Sequence, residues 1–128
     1  MWPMINDVET GNTPEYPDIQ PQTFPLDPHT TLEECEAVAR TLPRWTVVTV
    51  DVAARRIEAI YKTKIIGFKD DLSIWVIPDD GTGAVVNMRG KSRVGRSDMG
   101  QNAKTIRSFQ AALSAAVRAR TQRREPGT

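Results

Sequence analysis

Between Trp45 and Arg89 the chain carries four strand-like runs in succession, separated by only three to six residues. Connections that short cannot hold a parallel crossover, which needs a dozen residues or more, so consecutive runs must pair as an antiparallel meander. The first run, "WTVVTVD" (45–51), is rich in β-branched residues. The second, "RRIEAIYKTKI" (55–65), alternates, with Ile57, Ala59, Tyr61 and Thr63 on one face and Glu58, Ile60 and Lys62 on the other. "LSIWVI" (72–77) is apolar on both faces and suits a central strand. In "AVVNMR" (84–89), Val86 and Met88 oppose Val85, Asn87 and Arg89. "GFKDD" (67–71) joins the second run to the third, and "PDDGTG" forms a hairpin turn in which Gly81 and Gly83 accept positive φ.

Helical patterns flank the meander. Before it, Thr31 with Glu34 reads as a capping box, and Leu32, Cys35, Val38, Ala39 and Leu42 form an apolar stripe that Pro43 ends. After it, Asp98 with Gln101 resembles a second capping box. The helix it opens is predicted from about Met99 to Val117, with Met99, Ala103, Ile106, Phe109, Leu113, Ala116 and Val117 inward. The fold class that follows is α+β, a two-layer sandwich of order (β)-α-β-β-β-β-α. Its four-stranded antiparallel meander, or five-stranded if the N-terminus adds an edge, has both helices on one face.

Residues 1–28 hold six of the nine prolines, so this segment is predicted to be an extended arm. Its Ile5, Val8, Tyr16, Ile19, Phe24 and Leu26 are too apolar for a free linker, and an edge strand near 23–26 is expected. The body is assigned to 29–119 and a flexible basic tail to 120–128. Charge is divided in the same sense. Residues 1–40 carry eight acids and one base, a net of −7, and residues 41–128 carry sixteen bases and eight acids, a net of +8. A nucleic-acid partner is not expected, because the bases are interleaved with strand and turn acids or gathered in "RARTQRR" (118–124) rather than set along one face. No apolar run approaches the roughly 20 residues of a transmembrane helix, and "MWPM" does not have the form of a signal peptide. The single cysteine, Cys35, lies on a helix stripe, where a buried thiol is expected rather than a nucleophile; the one histidine, His29, precedes it in the loop.

The stretch "RGKSRVGRSDMGQN" (89–102) has the look of a phosphate loop but not its spacing. A P-loop needs glycine at position 85, where Val85 lies within a strand, and glycines five apart at 90, 95 and 100 do not match a dinucleotide fingerprint. Ser97 and Asp98 precede a helix whose free N–H groups favour negative charge, with Arg89, Lys91, Arg93 and Arg96 close by. Two readings stay open. Asp98 supplies that negative charge while the arginines bridge Asp70 and Asp71, or the loop keeps an arginine for a carboxylate or phosphate ligand. Under the second reading Arg93 and Ser97 touch the ligand, Asp71 and Asp98 orient them, and Arg89, Asn102 and Asp70 complete the set.

"RGKSRVGRSDMGQNAKTIRSF", with "GFKDDLSIWV" before it and "INDVETGNTPEYP" near the start, resembles the bacterial and plastid family DUF1499, a domain of unknown function. The resemblance runs from about Ile5 to Val117. Its most specific part is carried by Arg89, Ser92, Arg93, Gly95, Ser97, Asp98, Gly100 and Asn102, and the paired Asp70 and Asp71 also match. Members often carry an N-terminal anchor or export signal, so the resemblance implies a periplasmic or membrane-associated setting. It implies no established activity, no cofactor and no catalytic residue.

The sheet face away from the helices is a second candidate surface. Ser73, Trp75 and Ile77 fall there, beside Ile60, Lys62, Val85 and Asn87, and either the arm covers them or they meet a protein partner, a second copy, a lipid or an apolar ligand. Metal ligation would rest on Asp70, Asp71 and Asp98, and adjacent aspartates on a strand point apart, so no metal is expected. Three functions remain open. The expected one is a non-catalytic binding or accessory domain of an envelope- or membrane-associated complex. The alternatives are a binder of a small anionic ligand through loop 89–98, and a small enzyme using Asp71, Asp98 and Arg93.

Overall fold

The structure is a computed structural model that describes residues 3–64, 67–95 and 97–124. Its elements are β1 (Asp7–Glu9), β2 (Gln22–Phe24), α1 (Pro28–Thr41), β3 (Trp45–Asp51), β4 (Arg56–Lys62), β5 (Lys69–Pro78), β6 (Ala84–Ser92) and α2 (Gln101–Arg124). The meander β3–β4–β5–β6 is antiparallel throughout, and both helices pack on one face of it. The arm adds two strands rather than one. β1 and β2 share the outer edge of β6, β1 against Arg89–Lys91 and β2 against Ala84–Val86.

Alternation sorts the sheet as expected. On β5, Asp70, Leu72, Ile74 and Val76 are buried beneath the helices, while Asp71, Ser73, Trp75 and Ile77 face the other way. Ile57 and Ala59 of β4, Val86 and Met88 of β6, and Ile106, Phe109 and Leu113 of α2 join them in one core. Cys35 is fully buried there, and desolvation pushes its thiol up to about 12. A thiol so placed is not ionised at neutral pH and does not act as a nucleophile.

Several boundaries differ from the sequence reading. α1 begins a turn early, because Asp27 is its cap and Pro28 suits the first helical position. The Asp27 carboxylate accepts from the Thr30 N–H at 3.0 Å, whereas Thr31 is buried with its hydroxyl donating to the Asp27 carbonyl. The predicted Thr31–Glu34 box therefore does not form. α2 begins at Gln101, since Met99 lies before it at φ 54 and is 69% exposed instead of inward. Gln101 reaches forward to Thr105 rather than back to Asp98. α2 continues to Arg124, so 120–124 are helical and Arg120 donates to Glu34 of α1 at 2.9 Å. Lys69–Asp71 belong to β5 rather than to a turn, and β6 extends to Ser92, because these two ends pair with each other. Ile65 at the end of the predicted second run, Arg96, the start Met1–Trp2 and residues 125–128 lie outside the described residues.

The arm does not cover the outer face of the sheet. Beyond β1 it crosses to α2, where Arg107 donates to both oxygens of Asp18 and sits 5.3 Å above the Tyr16 ring. Gln110 donates to the Gln20 carbonyl, and Gln22 to the Gln110 carbonyl and the Ser114 hydroxyl. The arm is held chiefly by burial of Val8, Ile19, Phe24 and Leu26 in the core, and charge aligns it. Asp7, Asp18 and Glu34 of the acidic segment meet Arg89, Arg107 and Arg120 of the basic one, and bidentate arginine–carboxylate pairs align as well as attract.

Candidate functional site

The polar residues predicted to form one site are split by the sheet. Arg89, Asp71 and Arg93 emerge on the outer face, and Asp70, Ser92 and Asn102 lie on the inner one. On the outer side Arg93 holds Asp71 through contacts of 2.9–3.2 Å, and Arg89 holds Asp7 from β1 with both nitrogens engaged. The hydrogen bond from Arg89 lowers the Asp7 pKa from its ordinary value and raises that of Arg89. Neither guanidinium predicted to touch an anion is left without a carboxylate from the chain itself.

The inner half is a buried network at the hand-over from β6 to α2. The Ser92 hydroxyl donates to Asp70 Oδ1 at 2.8 Å and accepts from Asn102 Nδ2 at 3.0 Å. Asp98 caps α2, accepting from the Gly100 and Asn102 N–H groups and from the Asn102 side chain. The arm closes this junction. The Ile5 carbonyl accepts from the Asp98 N–H, and the Asn6 carbonyl from the Ser92 N–H. Ser97 donates to the Pro3 carbonyl and accepts from the Met99 N–H, which completes the predicted set. Within this network Asp70 Oδ2 and Asn102 Oδ1 are buried and have no hydrogen-bond partner among the described residues. Desolvation, reinforced by the negative charges of Asp98 and Asp71 and opposed by Ser92, raises the Asp70 pKa from its ordinary value. Gly90 makes this packing possible, because a Cβ there would stand 2.6 Å from Asn102 Oδ1.

A cavity shaped to take a ligand lies one step along from this junction. A groove of about 720 Å³ opens between the first half of α2 and the sheet end where α1 hands over to β3. Leu42, Pro43, Trp45, Tyr61 and Met99 give it apolar walls; Gln101, Thr105 and Ser108 line it from α2. Trp45 is held by stacking on Phe109, with ring centroids 5.4 Å apart. Arg44 leads the chain into β3 at φ 68 and donates to the Thr63 carbonyl, while Lys64 and Lys104 border the groove without an ion pair to any described residue. Asp98 is the one member of the predicted set that reaches this lining. A volume in the range of small-molecule pockets, mostly apolar with a few polar groups, suits an organic ligand.

Sequence reasoning did not find this groove, although one signal was present. Gln101, Thr105 and Ser108 follow each other at helical spacing beside an inward apolar stripe, and Thr105 is only 3% exposed. Among the described residues no group of three or more His, Cys, Asp or Glu side chains is placed to hold a metal ion. Nor is any described helix long and apolar enough to cross a membrane.

The outer sheet face keeps its predicted residues together. Ile77 is 45% exposed, Ile60 and Trp75 are half-buried, and Arg56 lies 5.0 Å above the Trp75 ring.

A model of the family described as "Protein of unknown function (DUF1499)" matches residues 3–113. No curated protein matches the chain. Among solved structures the chain is similar to the crystal structure of TTHA0849 from Thermus thermophilus, at 11% identity and a TM-score of 0.45. That match covers 88% of this chain and 97% of the other.

Proposed function

The chain belongs to the DUF1499 family, and from that premise we propose that it is a non-catalytic binding domain that holds a small organic molecule in the groove between α2 and the β3–β4 end of the sheet. The groove itself carries the reading. It combines an apolar floor built on Trp45 and Tyr61 with a volume of about 720 Å³, which a drug-sized ligand fills. Binding is favoured over catalysis by the state of the carboxylates. Asp98, the only described acid on the lining, spends its oxygens on the α2 N-terminus and Asn102, and Asp71 with Arg93 stands on the opposite face of the sheet. Among the described residues the groove lining holds no histidine, cysteine or glutamate, and its one aspartate is already engaged.

The test is an environment-sensitive apolar dye titrated into the full chain and into Ser108→Phe, an exposed position on the α2 wall. Filling the groove should abolish the fluorescence gain while the melting temperature stays nearly unchanged. Equal dye binding by both proteins would place the dye elsewhere and refute the reading.

A second reading, a docking face for a protein partner in the envelope- or membrane-associated setting that the family suggests, is favoured by the bare outer face around Trp75, Ile60 and Ile77. A second copy is the simplest occupant. Sedimentation of the chain and of Ile77→Lys tests it: a dimer that Ile77→Lys dissolves supports the reading, and a monomer at high concentration excludes self-association through this face.

A further inference from the structure

We infer that the ligand of the groove is a single-chain amphiphile with an anionic head, an inference that rests on the groove being the binding site. Three described cationic side chains border a cavity with apolar walls and a few neutral polar groups, and they come from both walls: Arg44 and Lys64 from the sheet end, Lys104 from α2. At the β6–α2 junction Arg89 and Arg93 have carboxylate partners, whereas the groove brings three cations together on the rim of one cavity. Lys64 and Lys104 make no ion pair with a described residue, and Arg44 offers its Nη2 to a neutral carbonyl. The one described acid on the lining, Asp98, has its charge met by N–H groups of the α2 N-terminus and by Asn102. The groove therefore presents a positive rim to whatever enters, over walls whose aromatic and aliphatic surfaces gain only by contact with apolar groups.

Charge and shape together select the ligand class. A small free anion would leave Trp45, Tyr61, Leu42 and Met99 exposed to water, and a neutral apolar molecule would leave the cations unanswered. A chain ending in an acidic head meets both demands. About 720 Å³ accommodates one alkyl chain with its head and is small for a two-chain lipid. A carboxylate and a phosphate monoester share the chemistry required, negative charge with several acceptor oxygens for lysine and arginine donors.

The experiment is a calorimetric titration of the full chain with dodecanoate, dodecyl phosphate, 1-dodecanol and dodecyltrimethylammonium, the charged compounds below their micelle concentrations and the alcohol below its solubility limit. It is repeated on Lys64→Gln/Lys104→Gln and on Ser108→Phe. Both lysines are exposed, so their removal leaves the fold intact. Expected is binding of one or both anions, weaker by about tenfold in the double lysine variant and lost in Ser108→Phe, with the alcohol and the cation bound poorly. Preference between carboxylate and phosphate identifies the source of the head and supports the inference either way. If the alcohol binds as tightly as the anions and the lysine variant is unaffected, the anionic head is refuted while the groove stands. If no compound binds and the dye also fails, the groove reading falls with it.

Discussion

Replacing Asp70 with asparagine is expected to stabilise the protein, by an amount that grows with pH. Asp70 is 1% exposed, receives one hydrogen bond from Ser92, and keeps Oδ2 without a partner. The nearby Asn102 Oδ1, which borders the same Ser92 hydroxyl through its own amide, also lacks a donor. Both oxygens are acceptors if Asp70 is ionised, whereas a protonated acid, or the amide of Asp70→Asn, brings a donor into the cluster. Burial raises the native pKa above the ordinary 3.8, and Asp98 and Asp71 add to it. The sign follows from linkage. Below 3.8 the carboxyl is protonated folded and unfolded, and its contribution to stability is complete. As pH rises through the native pKa the unfolded chain has already released its proton, so that contribution is lost. Asp7, whose pKa is lowered, gives the opposite slope and is common to both proteins, so it cancels in the comparison. A buried acceptor left unsatisfied costs about 1–3 kcal/mol, which sets the gain expected at neutral pH. Urea unfolding of both proteins from acidic to neutral pH measures it as a midpoint difference that is smallest below 3.8, opens as pH rises through the raised native pKa and is constant above it. Asp70→Ala, which leaves Ser92 and Asn102 unanswered, should be destabilised throughout. An Asp70→Asn protein less stable than the native one by the same margin at every pH would refute the reasoning.

Four further outcomes are expected. Gly90→Ala places a methyl 2.6 Å from Asn102 Oδ1 and should cost about 1–3 kcal/mol in thermal or urea unfolding, because it overpacks the junction. Cys35, fully buried with its thiol pushed up to about 12, should resist a disulfide-exchange reagent at mildly basic pH until the protein is unfolded by denaturant. Ile74→Ala, which empties the centre of the core face of β5, should destabilise by about 2–5 kcal/mol in the same unfolding assay. Arg89→Ala/Arg93→Ala removes two outer ion pairs and should leave dye and amphiphile binding unchanged; loss of binding in this variant would return the site to loop 89–98.

Much of the architecture was readable from spacing alone. Period-two alternation placed Trp75, Ile77 and Ile60 on the face away from the helices, and it set Asp70 and Asp71 on opposite sides of β5, where they are found. The caps were read less well. Thr31–Glu34 fits a capping box, but Asp27 ahead of Pro28 forms the earlier cap, so the side chain that reaches a free N–H first defines the start. The three-residue strands β1 and β2 are too short to show a period, and the edge they occupy exists only once β6 has folded.

The candidate site divides along the same line. Residue types in 89–102 marked a polar junction, but which arginine meets which acid depends on the pairing of Asp70 with Ser92 across β5 and β6, and on where β1 docks. The groove draws on residues 42–45, 61–64 and 98–108, which no local pattern joins. Alternation and proline content act through the nearest few residues, so the chain alone determined a meander with two helices and an extended, partly apolar arm lying along the body. Hydrogen bonds of buried polar groups and the shape of a cavity depend on contacts closed over tens of residues. Those contacts form only when the core has chosen how α2 crosses the sheet, and that crossing is what left the groove open.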